Sequence, residues 1–62
     1  MDLRKLKEVR KMRRIKIKDI AKETGISRNL VSLIENGKGN PSFRNVEKIA
    51  NTIGLEIMIY LK

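Results

Sequence analysis

The chain has 62 residues, with 15 Lys and Arg against 7 Asp and Glu, a formal net charge of +8, and neither Cys nor His. That length makes one small domain, near the limit at which an apolar core holds without cross-links, and the missing Cys and His exclude a disulfide framework and a His/Cys metal site. No apolar run approaches the ~20 residues of a membrane span, and the opening MDLRKLKEVRK lacks the apolar core of a secretory signal, so a cytoplasmic protein without membrane contact is expected.

The positive charge is unevenly distributed: ten of the fifteen Lys and Arg fall within the first 22 residues. A basic domain meets the first criterion for binding nucleic acid. Charge alone fits solvated, Lys-rich helix faces equally well.

Asp2 to about Arg13 reads as a first helix. Asp2 stands where an N-cap with a favourable dipole charge would sit. Leu3, Leu6 and Val9 recur at three-residue spacing with Met12 near the end, which predicts a narrow stripe on the core, with Arg10 beside it. Arg14-Ile15-Lys16 forms a connection, from which Ile15 docks into the core. The run DIAKETGISRNLVSLIENG, Asp19 to Gly37, then reads as two short helices around a tight turn. Ile20 and Ala21 supply the apolar edge of the first, and Gly25 ends it by its ease in the left-handed conformation. Ile26 fills the turn, and Ser27 is a good N-cap for the next helix. That helix turns Val31 and Ile34 inward and stops at Asn36-Gly37. Its outward positions are Arg28, Asn29, Ser32 and Leu33, side chains able to bond base edges or touch their methyl groups. This is the layout of a helix-turn-helix DNA reader.

KGNPS after Gly37 is a turn sequence. Ser42 caps a fourth helix from Phe43 to about Ile53, with Phe43, Val46, Ile49, Ala50 and Ile53 at helical spacing and Gly54 as its C-terminal cap. In the closing LEIMIYLK, Leu55, Ile57, Ile59 and Leu61 alternate with Glu56, Met58, Tyr60 and Lys62, the pattern of a β-strand over about 55–61. A lone strand leaves backbone groups unpaired. The simplest remedy is antiparallel pairing with a second copy, placing Leu55, Ile57, Ile59 and Leu61 in a dimer contact. A short fifth helix or a tail packed on the same chain is the alternative. Residues 1–54 would then form the DNA-binding domain and 55–62 the dimerisation strand.

The run AKETGISRNLVSLIENGKGNPS resembles the Cro/cI-type (XRE-type) helix-turn-helix family. Ala21, Gly25, Ile26, Ser27, Val31, Ser32, Ile34, Glu35, Gly37, Pro41 and Ser42 fall in register with its common pattern. With the flanking helices the resemblance covers about residues 2 to 54. It implies an all-α, four-helix, lambda-repressor-like domain bound to double-stranded DNA. It also implies that Arg10 and Glu35 form a structural ion pair between the first helix and the end of the third. Three positions depart from the family. Arg14 stands where Gly is common, Lys16 where a small N-cap is common, and Ile17 where many relatives carry a phosphate-touching Gln. The family's usual fifth helix is replaced by the strand pattern, an arrangement found in some small antitoxin-type repressors.

Individual roles follow from side-chain chemistry. Arg28 can grip guanine N7 and O6 with two hydrogen bonds, and Asn29 can do the same with adenine. Ser32 can bond a base edge or a phosphate, and Leu33 suits a thymine methyl. Packing is the rival reading for Leu33 and the preferred one for Leu30. Lys16, Lys18, Ser27, Asn36, Lys38, Asn40 and Arg44 are the candidates for positioning the domain on phosphates. Asn36 and Lys38 match backbone-contacting positions of the family. For each lysine a merely solvated side chain is the alternative.

The expected function is a homodimeric, sequence-specific transcriptional regulator, most simply a repressor on an imperfect palindrome. The alternative is an antitoxin that binds a toxin and regulates its own operon. A basic module without sequence preference fits less well, because aromatic residues for base stacking are nearly absent. An enzyme is not expected: the carboxylates are scattered and no nucleophile constellation or phosphate-cradling glycine loop is present. No cofactor is implied.

Overall fold

Each helix carries one apolar stripe, and the stripes close on a shared core. The computed structural model describes residues 3–55, in which α1 spans Arg4–Met12, α2 Ile17–Thr24, α3 Arg28–Glu35 and α4 Phe43–Thr52. No strand occurs among the described residues, so the domain is all-α. Leu6 of α1, Ile20 of α2, Val31 and Ile34 of α3, and Val46, Ile49 and Ala50 of α4 are buried together with Ile26 and Ile53. Leu3, Val9, Ile15, Ile17, Leu30 and Leu55 pack around them half-buried. α3 lies against both α1 and α2, and α2 also rests on α4.

Three helix ends share one construction. Beyond α3, the Gly37 amide donates to the Ile34 carbonyl and the Lys38 amide to that of Leu33; beyond α4, Gly54 and Leu55 repeat the pattern onto Asn51 and Ala50. These paired bonds form the Schellman motif, which turns the chain through a left-handed residue and satisfies carbonyls left over at the helix end. α1 ends the same way, with the Arg14 amide on Lys11 and the Ile15 amide on Arg10. There the left-handed residue is Arg14 itself, at φ 57°, the one non-glycine with positive φ among the described residues. The departure from Gly at this position therefore carries a conformational cost rather than a new geometry.

Two core expectations need correction. Met12 is 81% exposed, because a strict three-residue spacing cannot hold one face of a helix that turns about 100° per residue. By that rotation Met12 lies about 120° from Leu6, whereas Arg10 lies about 40° from it and takes the buried position. Phe43 is 50% exposed. It has the correct angular position on α4 but is the helix's first residue, about 4.5 Å along the axis beyond Val46, so its ring overhangs the core. Asp2 and the strand residues from Glu56 to Lys62 lie outside the described residues. The N-cap position of α1 falls on Leu3, which makes no side-chain capping bond. The Leu55 amide completes the α4 terminus, and the remainder of the expected strand lies outside the described residues.

Candidate nucleic-acid interface

The turn between α2 and α3 is held from both sides. Gly25 takes φ 76° at the end of α2 and its amide bonds the Ala21 carbonyl. Thr24 Oγ1 donates to the Ile20 carbonyl at 2.7 Å and accepts from the Ile26 amide at 3.1 Å. Ile26 is then buried as the anchor of the turn. Ser27, extended at φ −63° and ψ 152°, accepts the Leu30 amide on its hydroxyl at 3.1 Å, satisfying one of the free donors of the first turn of α3. Thr24 has no local sequence signature for this role, since its two bonds exist only once the turn has formed.

The far end of α3 is fixed by charge. Glu35 is 1% exposed and Arg10 is 8% exposed. Arg10 Nε donates to Glu35 Oε2 at 2.6 Å, and its Nη1 donates to the Ile15 carbonyl at 2.8 Å. One guanidinium thus joins α1, the α1–α2 connection and the last residue of α3. A buried ion pair of this kind is stabilising only when its geometry and remaining hydrogen bonds are satisfied. No buried side-chain nitrogen or oxygen among the described residues lacks a partner.

With Val31, Ile34 and Glu35 turned inward, the opposite face of α3 is presented outward. Arg28 and Asn29 are exposed on its first turn, Ser32 is half-buried on its second, and Leu33 is 44% exposed. Asn36 continues this stripe at the C-cap. Leu30 sits between the two faces and packs against the core. The remaining candidates are spread over four places along the chain. Lys16 is the exposed N-cap of α2 and makes no side-chain capping bond, Lys18 follows in the first turn of α2, Lys38 and Asn40 lie exposed in the loop after α3, and Arg44 is exposed in the first turn of α4.

Asn36 is already engaged within the domain. Its Nδ2 donates to the Ser32 carbonyl at 2.9 Å and to Ser32 Oγ at 3.4 Å, while its Oδ1 accepts Lys7 Nζ at 3.3 Å. Lys7 therefore stands beside the outward stripe of α3 although it belongs to α1. Sequence spacing gave no sign of it, because the two residues are 29 positions apart.

No helix among the described residues is long and apolar enough to cross a membrane. No group of His, Cys, Asp and Glu there could hold a metal ion.

Comparison with known proteins agrees with this arrangement. Residues 6–58 match a protein family described as helix-turn-helix. An uncharacterized HTH-type transcriptional regulator of Methanocaldococcus jannaschii is 40% identical over 53 residues, covering 86% of this chain and 80% of that protein. The HTH-type transcriptional regulator DdrOP3 of Deinococcus deserti is 36% identical over 53 residues, 86% of this chain and 41% of the relative. The ImmF control region 10 kDa protein of Bacillus phage phi105 is 37% identical over 54 residues, 87% of this chain and 60% of the relative. The chain thus spans most of the first relative and a smaller share of the other two. No solved structure gives a significant match.

Proposed function

The chain belongs to the helix-turn-helix family, and from that premise we propose that it is a DNA-binding transcriptional regulator, a repressor that occupies a palindromic operator as a homodimer. One observation carries the reading. α3 is locked at both ends, by the Ser27 cap and by the Arg10–Glu35 pair, while Arg28, Asn29, Ser32 and Leu33 face outward along one side. A rigid helix with a polar, reaching N-terminal half fits the major groove, whose base edges differ for each base pair.

In this reading Arg28 grips guanine, Asn29 pairs with adenine and Leu33 meets a thymine methyl. Lys16, Lys18, Ser27, Lys38, Asn40 and Arg44 set the domain on the phosphates, which position it without reading sequence. Residues 1–54 read DNA, and 55–62 join two copies so that their recognition helices enter successive major grooves about 34 Å apart. The bound dimer then blocks polymerase by occupying the operator.

Selection from a randomised duplex pool, with sedimentation of the free protein, tests both parts. An enriched inverted repeat together with a dimer is the expected result. A monomer that holds selected and scrambled duplexes equally would overturn it. If six phosphates are neutralised per dimer, log K falls against log salt with a slope near −5.

A further inference from the structure

A serine or threonine on a helix can direct its hydroxyl proton to the carbonyl four residues back. Thr24 and Thr52 do so here, with Oγ1 on the Ile20 carbonyl at 2.7 Å and on the Lys48 carbonyl at 2.9 Å. Ser32 does not. Among the described residues its hydroxyl makes one side-chain bond, and in that bond it is the acceptor from Asn36 Nδ2.

The direction of that bond is forced. Lys7 carries an ammonium, which only donates, so the atom of Asn36 facing Lys7 Nζ must be the amide oxygen. The Ser32 carbonyl only accepts, so the atom of Asn36 facing it must be the amide nitrogen. Both neighbours fix the same orientation of the Asn36 amide. Its NH2 group then lies against Ser32 Oγ, so one acceptor position of the hydroxyl is filled and its proton is not spent on Asn36.

We propose that Lys7 and Asn36 are positioning residues that fill one acceptor position of Ser32 and so bias its hydroxyl toward donating to DNA, favouring a base that offers an acceptor. Guanine offers N7 and O6, adenine N7 and thymine O4 at the major-groove edge, whereas cytosine offers its N4 amino group, a donor. Ser32 thereby discriminates against cytosine at one operator position. Without the relay a hydroxyl can rotate, donate or accept, and the discrimination disappears. Hydrogen bonds in such a chain polarise one another, so the ammonium at its head strengthens the donor at its end. The inference rests on the proposed DNA-reading role of α3.

The test measures relative binding of the four bases at each position of the selected operator, for the full chain and for Ser32→Ala, Asn36→Leu, Lys7→Met and Lys7→Arg, with folding of each checked by its thermal melt. The wild-type chain should disfavour cytosine at one position by about fivefold, the worth of one net hydrogen bond. Ser32→Ala and Asn36→Leu should each remove most of that ratio, Lys7→Met should reduce it, and Lys7→Arg should retain it. Because the readout is a ratio between bases, the uniform loss of affinity from a missing charge cancels. Lys7→Met leaves the α3 cap intact and gives the answer even if Asn36→Leu fails to fold. A Ser32-dependent preference that survives both Asn36→Leu and Lys7→Met would refute the relay while leaving the DNA-reading role standing. A cytosine ratio indifferent to Ser32→Ala would refute the donor assignment itself. No base preference anywhere in the wild-type chain would remove both the relay and the function beneath it.

Discussion

Replacing Arg14 by Gly should stabilise the domain, although nothing in the core changes. Arg14 ends α1 in the left-handed conformation at φ 57°, its side chain is exposed, and its amide bond to Lys11 is retained by any residue but proline. For an L-residue the left-handed region costs roughly 1–2 kcal/mol, which Gly avoids. Gly also loosens the unfolded chain, which offsets about 0.4–1 kcal/mol of that relief. The net gain is about 0.8 kcal/mol at mid-range, or ~3–6 °C in the melting midpoint of a domain this small. Removing a positive charge from a chain of net charge +8 also reduces self-repulsion, so Arg14→Ala is the necessary control. It deletes the same charge and side chain but keeps the left-handed strain. Thermal melts followed by circular dichroism at about 0.15 M salt, where exposed charges are largely screened, should rank Gly above Ala. A Gly variant melting no higher than the Ala variant would show that Arg14 carries no conformational cost.

Gly54→Ala should be destabilising by about 2 kcal/mol in denaturant titration, because its φ of 81° is strained for Ala and the added Cβ meets Arg13 Nη1. Arg13 Nη1 also holds the Ile53 carbonyl at 2.6 Å, so Arg13→Ala combined with Gly54→Ala should relieve the clash but not the strain. Glu35→Ala should cost about 3–5 kcal/mol by leaving Arg10 buried without its partner, enough to unfold most of the population. The double variant Arg10→Met/Glu35→Leu should be clearly more stable than Glu35→Ala; equal stability would mean that the uncompensated charge is not the cause. In DNA binding, Arg28→Ala should relax preference at one base position by roughly 1–3 kcal/mol, whereas Lys38→Ala should weaken all sequences alike and flatten the salt dependence. Unchanged base preference in Arg28→Ala would exclude Arg28 as a reader.

Most of the fold could be read along the chain because its signals are local. Ser27 and Ser42 cap α3 and α4 through their own hydroxyls, and Gly25, Gly37 and Gly54 mark helix ends by taking positive φ. The end of α1 carried no such mark, since Arg has no preference for the conformation it adopts there; only the resemblance to a family with Gly at that place pointed to it. Met12 and Phe43 were misplaced for geometric reasons, one by a spacing that drifts around the helix and the other by a position beyond the end of the core. The outward face of α3 was legible from the inward spacing of Val31 and Ile34. The supports of that face were not. The two bonds of Thr24 and the contact of Lys7 with Asn36 depend on how elements meet in space, which periodicity within one helix does not report.

The polar pair at the end of α3 bears on reading as much as on stability. Apolar contacts such as those of Val31 and Ile34 tolerate a small rotation of the helix, because dispersion and burial are nearly non-directional. The 2.6 Å bond from Arg10 to Glu35 is directional. A rotation of α3 by about 20° displaces a point on its surface, roughly 6 Å from the axis, by about 2 Å, more than the whole range of hydrogen-bond lengths. Arg28, Asn29 and Ser32 would then miss base edges that they otherwise reach. The Arg10→Met/Glu35→Leu chain is therefore expected to keep its fold and its salt-dependent affinity while its base preferences flatten across the whole operator half-site. Base preferences as sharp as those of the wild-type chain, in a folded double variant, would show that apolar packing alone sets the rotation of α3.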